Sequence, residues 1–262
     1  MQKMIKEHVT SLLTQNIRED GRTFEDYRKP LHVDYGISPK SADGSARVKI
    51  GNTEVVAGVK LALDAPYPDT QDQGNLIVNC ELLPLSNPDF EPGPPSIDSI
   101  EIARVTDRCI RESHALDLSK LCIKKGEKVW VVFVDIYPIN DDGNLFDAAG
   151  LAALAALQDA TFPGYDAQEG KVLYEEKTSK KLPLTCLPLG ITVVKIGTSL
   201  LVDPSYAEWQ SLDARLTVAS LEDGMLCSLQ KGGDMQLTER DIESMVTLAL
   251  EKAKELRKHL KR

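Results

Sequence analysis

The chain has 262 residues, of which 42% are hydrophobic and 27% charged, with a formal net charge of −9. That composition matches ordinary globular proteins and excludes a disordered or fibrous chain, and the length suffices for two packed halves with a sizeable core. The acidic balance disfavours general nucleic-acid binding, whose nonspecific strength comes from Lys and Arg neutralising phosphates, so any such contact must be local.

Residues 2 to 16 place Ile5, Val9, Leu12 and Leu13 on one helical face, which predicts an amphipathic helix ending before the turn at Asp20-Gly21. ARVKIGNTEVVAGVKLAL, residues 46 to 63, reads as a hairpin around Gly51-Asn52 because β-branched residues fill both arms. NLIVNCELLPL, residues 75 to 85, adds a strand. SNPDFEPGPPS carries four prolines and a glycine and cannot be regular structure. The segment after it is a helix with Ser96 or Asp98 as N-cap and Ile102, Val105 and Cys109 as its buried stripe. KVWVVFVDIYPI, residues 128 to 139, has the continuous apolar run of a strand buried on both faces.

INDDGNLFDAAGLAALAALQDA, residues 139 to 160, is a tight turn feeding a helix of small residues, with Asn144 or Asp147 as the cap. A calcium loop is excluded, because Pro138 stands at the first ligand position. The next stretch is polar and aperiodic, so residues 166–182 read as a linker or excursion between an N-terminal half, 1–165, and a C-terminal half, 183–262. Its basic run, Lys177 to Lys181, reads as a solvated loop. A second strand-rich set follows, and the chain closes on a helix with Thr238 and Asp241 as a capping box and Ile242, Met245, Val246, Ala249 and Ala253 as its apolar stripe. VKIGNTEVV from Val48 is echoed by VKIGTSLLV from Val194, and the similar element order of the two halves favours a duplicated α+β fold.

The longest apolar run, Ala148 to Leu157, is far short of the ~20 residues a membrane span needs. The opening MQKMIKEHVTSLL lacks a signal peptide's apolar core. No membrane association and a cytoplasmic location are therefore expected. Cys80, Cys109, Cys122, Cys186 and Cys227 are odd in number, scattered and without a C-x-x-C pair, the usage of buried thiols in a reducing compartment. His8, His32, His114 and His259 are equally isolated, so neither a structural metal nor a cofactor is expected.

REDGR at Arg18 to Arg22, DGSARVKIGNTEVVAGV at Asp43 to Val59, the Pro-rich loop before an Arg-bearing helix, DDG before an Ala-rich helix, and LLVDPSYAE at Leu200 to Glu208 together resemble the RNase PH family. The resemblance covers essentially the whole chain and rests on the order and spacing of these motifs. Within the family the chain is similar to the non-catalytic ring subunits of the archaeal exosome. The resemblance implies two related α+β halves of the ribosomal protein S5 domain 2-like type, with mixed sheets packed with helices. It also implies a hexameric ring in which the chain alternates with a catalytic RNase PH-like subunit, carries RNA-binding cap subunits and encloses a channel for single-stranded RNA. Active members are phosphorolytic 3′-to-5′ exoribonucleases, in which inorganic phosphate attacks the terminal phosphodiester and releases a nucleoside diphosphate.

That reaction brings an anion to an anionic ester, so it needs positive charge, hydrogen-bond donors and commonly carboxylates for a divalent cation. Active members use a Gly-Ser-Arg type of loop and two aspartates six residues apart. The matching positions here are Gly143, Asn144, Leu145 and Phe146, and Asp203 with Trp209. Loss of one placed donor typically costs ~100- to 1,000-fold in rate, so the resemblance implies a chain without catalytic residues that shapes its partner's active site. The alternative is an active exoribonuclease that uses Asp203 with a phosphate site of another form. A small-molecule kinase would need a Gly- and Ser/Thr-rich phosphate loop, which the sequence lacks. Arg104, Arg108 and Arg111 lie at i, i+4 and i+7 and so share a helix face. Taken alone they read as a solvated face with Glu101–Arg104 and Asp107–Arg111 pairs. The resemblance implies RNA binding by all three, because the helix borders the RNA path in the family and guanidinium groups suit phosphates.

Overall fold

A computed structural model describes residues 2–260. It opens with helix α1 (Gln2–Thr14) and continues through strands β1 (Leu31–Tyr35), β2 (Gly44–Ile50), β3 (Thr53–Asp64) and β4 (Asn75–Cys80), helix α2 (Ile97–Glu112), strands β5 (Cys122–Lys124) and β6 (Lys128–Asn140), and helix α3 (Leu145–Asp159). The first sheet has the order β1-β2-β3-β6-β4, with β5 also on β6. Only β4 and β6 run parallel. Parallel neighbours need a long crossover, and α2 lies in it, packed on β4.

The second sheet contains β9 (Leu189–Ile196), β10 (Ser199–Val202), β11 (Ala214–Ser220) and β12 (Leu226–Gly232), reached through an antiparallel ribbon of β7 (Thr161–Asp166) and β8 (Lys171–Lys181). Its order is β10-β9-β11-β12, all antiparallel. Helix α4 (Tyr206–Ser211) separates β10 from β11, and α5 (Glu239–Leu256) covers β9 and β11. The architecture is α+β, as expected, with a mixed first sheet and an antiparallel second sheet, both packed with helices.

Helix α3 lies between the two sheets, against β2, β3 and β6 on one side and β9 on the other. Its sequence explains this place: twelve of its fifteen residues are buried, and a helix apolar all round has no face to offer water. Its alanines let backbones approach closely. A Cβ on Gly44 would fall 2.4 Å from the backbone of Ala160 at the helix end.

Several local expectations hold. Ser96 caps α2 by accepting from Ser99 N, and Thr238 and Asp241 form the capping box of α5. The two echoed hairpins turn at Gly51 and Gly197, with φ of 60° and 59°, where a residue without Cβ is strongly favoured. Both arms of the first hairpin, β2 and β3, are interior strands, whereas in the second β10 is the edge of its sheet and only β9 is interior.

Other expectations change. Segment 166–182, read as a linker or excursion, is mostly taken up by β8 of the β7-β8 ribbon, and its basic run is a strand whose lysines bond carbonyls rather than a solvated loop. Lys181 donates to the carbonyls of Gln158 and Asp159 at 3.1 and 2.7 Å, and Lys177 to those of Pro39 and Ala42. Lysine at the C-terminus of α3 meets the negative end of the helix dipole. Asn144 occupies the N-cap of α3 but makes no cap hydrogen bond, because its backbone is left-handed at φ 59° and its side chain turns inward. Ile242 is 42% exposed rather than part of the α5 stripe. The five cysteines are free, with Cys80 and Cys109 buried and the others half-buried. Helix α1 comes first in the chain, yet its Val9 and Leu13 pack on Val194, Ile196 and Leu201 of the second sheet. No helix among the described residues is long and apolar enough to cross a membrane.

Close approach at Gly44 gives a paired test by urea denaturation. Gly44→Ala is expected to lose about 1–3 kcal/mol through overpacking. Gly58→Ala, whose Cβ meets only Ala42 at 3.9 Å, should be neutral or slightly stabilising.

Candidate functional site

The N-terminus of α3, the turn at 203–205 and the segment 18–28 converge on one carboxylate. Asp203 is fully buried and its backbone is left-handed, at φ 46°. Its Oδ2 accepts from Arg28 N at 2.7 Å, Arg28 Nε at 3.0 Å and Arg22 Nη1 at 3.0 Å. Its Oδ1 accepts from Arg28 Nη2 at 2.8 Å and Asn144 Nδ2 at 2.9 Å. A carboxylate offers about four lone-pair sites, so five donors leave none for a cation or for a proton in transit.

Arg28 also binds the backbone of the turn before α3. Arg28 donates to the carbonyls of Asp142 and Gly143, and Thr53 Oγ1 also donates to Gly143 O, at 2.7 Å. A Cβ on Gly143 would sit 2.4 Å from Pro204 O, so this glycine serves the contact between the two turns as well as its own φ of 91°. Nearby, Arg18 grips Glu208 through Nε–Oε1 at 2.8 Å and Nη2–Oε2 at 2.6 Å, and Glu208 also accepts from Ser205 N to complete the cap of α4.

Phe146 and Trp209 stack with ring centroids 5.6 Å apart. The guanidinium of Arg215, from β11, lies 4.2 Å from the Phe146 centroid and 5.5 Å from that of Trp209. Glu101 of α2 pairs with it at 2.6 Å. Apolar side chains thus stand where the active-site hydroxyl, guanidinium and second carboxylate were looked for.

Of the three α2 arginines, Arg104 is exposed and no hydrogen bond or ion pair is seen for it among the described residues, because Glu101 is taken by Arg215. Arg108 is half-buried and donates to Gln230 Oε1 at 3.1 Å. Arg111 pairs with Asp107 at 2.6 Å and donates to Leu76 O at 2.9 Å, which ties α2 to β4. The shared face exists, but its members differ in freedom.

Sequence reasoning missed Arg28, Glu208 and Arg215. For Arg215 there was a signal: a lone charge inside the apolar strand ARLTVAS, which must be paired if buried. Asp147 was expected only as a cap. It is fully buried, accepts from Tyr27 Oη at 2.7 Å, Thr192 N at 2.8 Å and Asn144 Nδ2 at 3.3 Å, and burial pushes its carboxyl up to about 7 against those hydrogen bonds.

Two α+β halves meeting at paired turns, one opening onto a buried helix, form the architecture that family models recognise. The model described as "3′ exoribonuclease family, domain 1" matches residues 28–163, and that for domain 2 matches residues 186–252. The chain belongs to the RNase PH family of 3′ exoribonucleases. It is 42% identical to the exosome complex component Rrp42 of Methanothermobacter thermautotrophicus, over 98% of this chain and 94% of that protein. It is 46% identical to the protein of the same name in Methanosarcina acetivorans, over 96% and 91%. Among solved structures, a chain of the Archaeoglobus fulgidus exosome with RNA bound to the active site superposes with a TM-score of 0.91 at 44% identity, covering 99% of each chain. A chain of an archaeal exosome core gives 0.87 at 41%, covering 100% and 98%.

Two measurements probe this centre. Arg18→Met strands Glu208 in a site where the pair's side chains are 0% and 7% exposed, and should cost about 3–5 kcal/mol in urea unfolding. Asp147 supplies a pH dependence: the folded chain keeps its proton up to about pH 7, whereas an unperturbed aspartate releases it near 3.8. Folding therefore takes up a proton between those values, and this contribution to stability falls as pH rises across the window. Asp147→Asn should flatten unfolding free energy between about pH 4 and 7; an unchanged slope would assign it elsewhere.

Proposed function

We propose that this chain is a non-catalytic ring subunit of an archaeal-type exosome, a cytoplasmic 3′-to-5′ RNA-degrading complex. In this reading it alternates in a hexameric ring with a catalytic RNase PH-like partner, meets RNA-binding cap subunits, shapes the partner's active site and guides single-stranded RNA in the channel. Names and structures of similar proteins support membership in the complex. The observation that carries the non-catalytic reading is Asp203. It is the one retained member of the expected carboxylate pair, and its oxygens are saturated by Arg22, Arg28 and Asn144. Phe146 and Trp209 supply neither a carboxylate to hold a divalent cation nor a guanidinium to bind phosphate. The alternative of an active nuclease built on Asp203 would have to break two buried ion pairs before chemistry.

Arg104 and Arg108 lead the proposed RNA face of α2, the first exposed and without a partner among the described residues, the second held only by neutral acceptors, Gln230 Oε1 and Leu229 O, that a phosphate can outcompete. Arg111 is the third member of this face; it also pairs with Asp107 and donates to Leu76 O, which ties α2 to β4. The decisive assay incubates the purified chain with short RNA, phosphate and magnesium, alone and with its catalytic partner. Nucleoside diphosphate should appear only with the partner, and release by this chain alone would refute the reading. Arg104→Glu with Arg108→Glu should leave the ring assembled and lower the salt slope of RNA binding by about 2; unchanged affinity and slope would remove RNA from these residues.

A further inference from the structure

Arg104 stands exposed on α2 with no hydrogen bond or ion pair among the described residues, although the helix offers it two acidic neighbours. Residues three and four apart on a helix lie side by side. Of the four such positions around Arg104, which hold Ile100, Glu101, Asp107 and Arg108, two carry carboxylates. Both carboxylates are committed elsewhere. Asp107 pairs with Arg111 at 2.6 Å, and Glu101 reaches out of α2 to Arg215 of β11, also at 2.6 Å.

The choice that Glu101 makes follows from burial. The side chain of Arg215 is 6% exposed and that of Glu101 28%. The Arg215 guanidinium lies over the Phe146 ring and beside Trp209, and Gly232 closes on it so tightly that a Cβ there would come within 2.4 Å of Cζ. Its Nη1 is buried without a hydrogen-bond partner, so the charge depends on the bond from Nη2 to Glu101. An exposed pair three residues apart on a helix shifts an equilibrium by about twofold at most. Stripping a buried cation of its counter-ion shifts one by on the order of a hundredfold or more. Glu101 therefore belongs to Arg215 and not to Arg104.

We propose that Arg215 is a positioning residue for RNA binding: by holding Glu101 away from Arg104, it keeps an unneutralised guanidinium on α2 for a phosphate of the RNA. This inference rests on the reading of α2 as the RNA face. Without Arg215, Glu101 is free to turn along its own helix onto Arg104, one turn away. A phosphate must then displace a carboxylate and sit beside a like charge, and the release of counterions that drives its binding is reduced. The aromatic stack of Phe146 and Trp209 thereby gains a task beyond packing, since it fixes the cation that keeps Arg104 open.

The test compares rings assembled with the catalytic partner and carrying wild-type chain, Arg104→Gln, Arg215→Met, or Arg215→Met with Glu101→Gln. Binding of a labelled single-stranded oligoadenylate is followed by fluorescence anisotropy across a salt series. Arg104→Gln should lower the salt slope by about 1, the loss of one phosphate contact. Arg215→Met should lower it by nearly as much, although Arg215 is buried. Adding Glu101→Gln should restore the wild-type slope, because the carboxylate that covers Arg104 is gone. The rescued variant has the net charge of the wild type, so a change in the overall field does not account for rescue. Arg215→Gln takes the place of Arg215→Met, singly and in the rescue, if the methionine variant does not fold. An Arg215 variant that binds as the wild type while Arg104→Gln is weakened would overturn the role of Arg215 and leave RNA on Arg104. So would a loss that Glu101→Gln fails to restore, the result expected of a merely structural arginine. An unchanged slope in Arg104→Gln would instead take RNA away from Arg104 and overturn both readings.

Discussion

A carboxylate sealed from water is tolerable only when its charge is answered, and the two halves of this protein are joined around one that is. Asp203 sits in a left-handed turn of the second half, and the groups that neutralise it come from segment 18–28 and from the start of α3. An unpaired charge at such depth would be several kcal/mol out of balance. The relative placement of the halves, the path of the 203–205 turn and the geometry of the Gly143 turn are therefore coupled. None can shift without uncovering an ion.

This constraint shows how the family scaffold holds its two halves together. In an active site, polar residues remain partly unpaired so that they can meet a substrate, and the fold bears that cost. Here aromatic rings stack at the corresponding place, Arg215 pairs with Glu101, and the oxygens of Asp203 are fully bonded.

Much of this was legible in the chain itself. Caps at Ser96 and Thr238, the hairpin at Gly51 and the buried strand of residues 128–139 follow from local rules, because each depends on neighbours a few residues apart. The all-apolar face of α3 announced a core helix. The ion network was not legible, since its partners are separated by up to 190 residues and arginine is ordinarily a surface residue. The ribbon at 161–181 was hidden for a different reason. Its second strand is exposed along nearly its whole length, so it shows no alternation of apolar and polar residues for a pattern to detect, and its lysines are fixed by carbonyls that no sequence pattern reveals.

Helix α1 leads the chain but finishes in the second half, with Val9 and Leu13 on residues near 200 and Arg18, just beyond it, gripping Glu208. During synthesis at ~5–20 residues per second, the intervening 190 residues take about 10–40 s. For that interval a 13-residue helix, marginal on its own in water, has its apolar side uncovered and its neighbouring arginine without a counter-ion. Residues 2–18 therefore find their partners only after residues 194–208 have been made, so this part of the first half docks after the rest of that half already has the partners for its own sheet contacts.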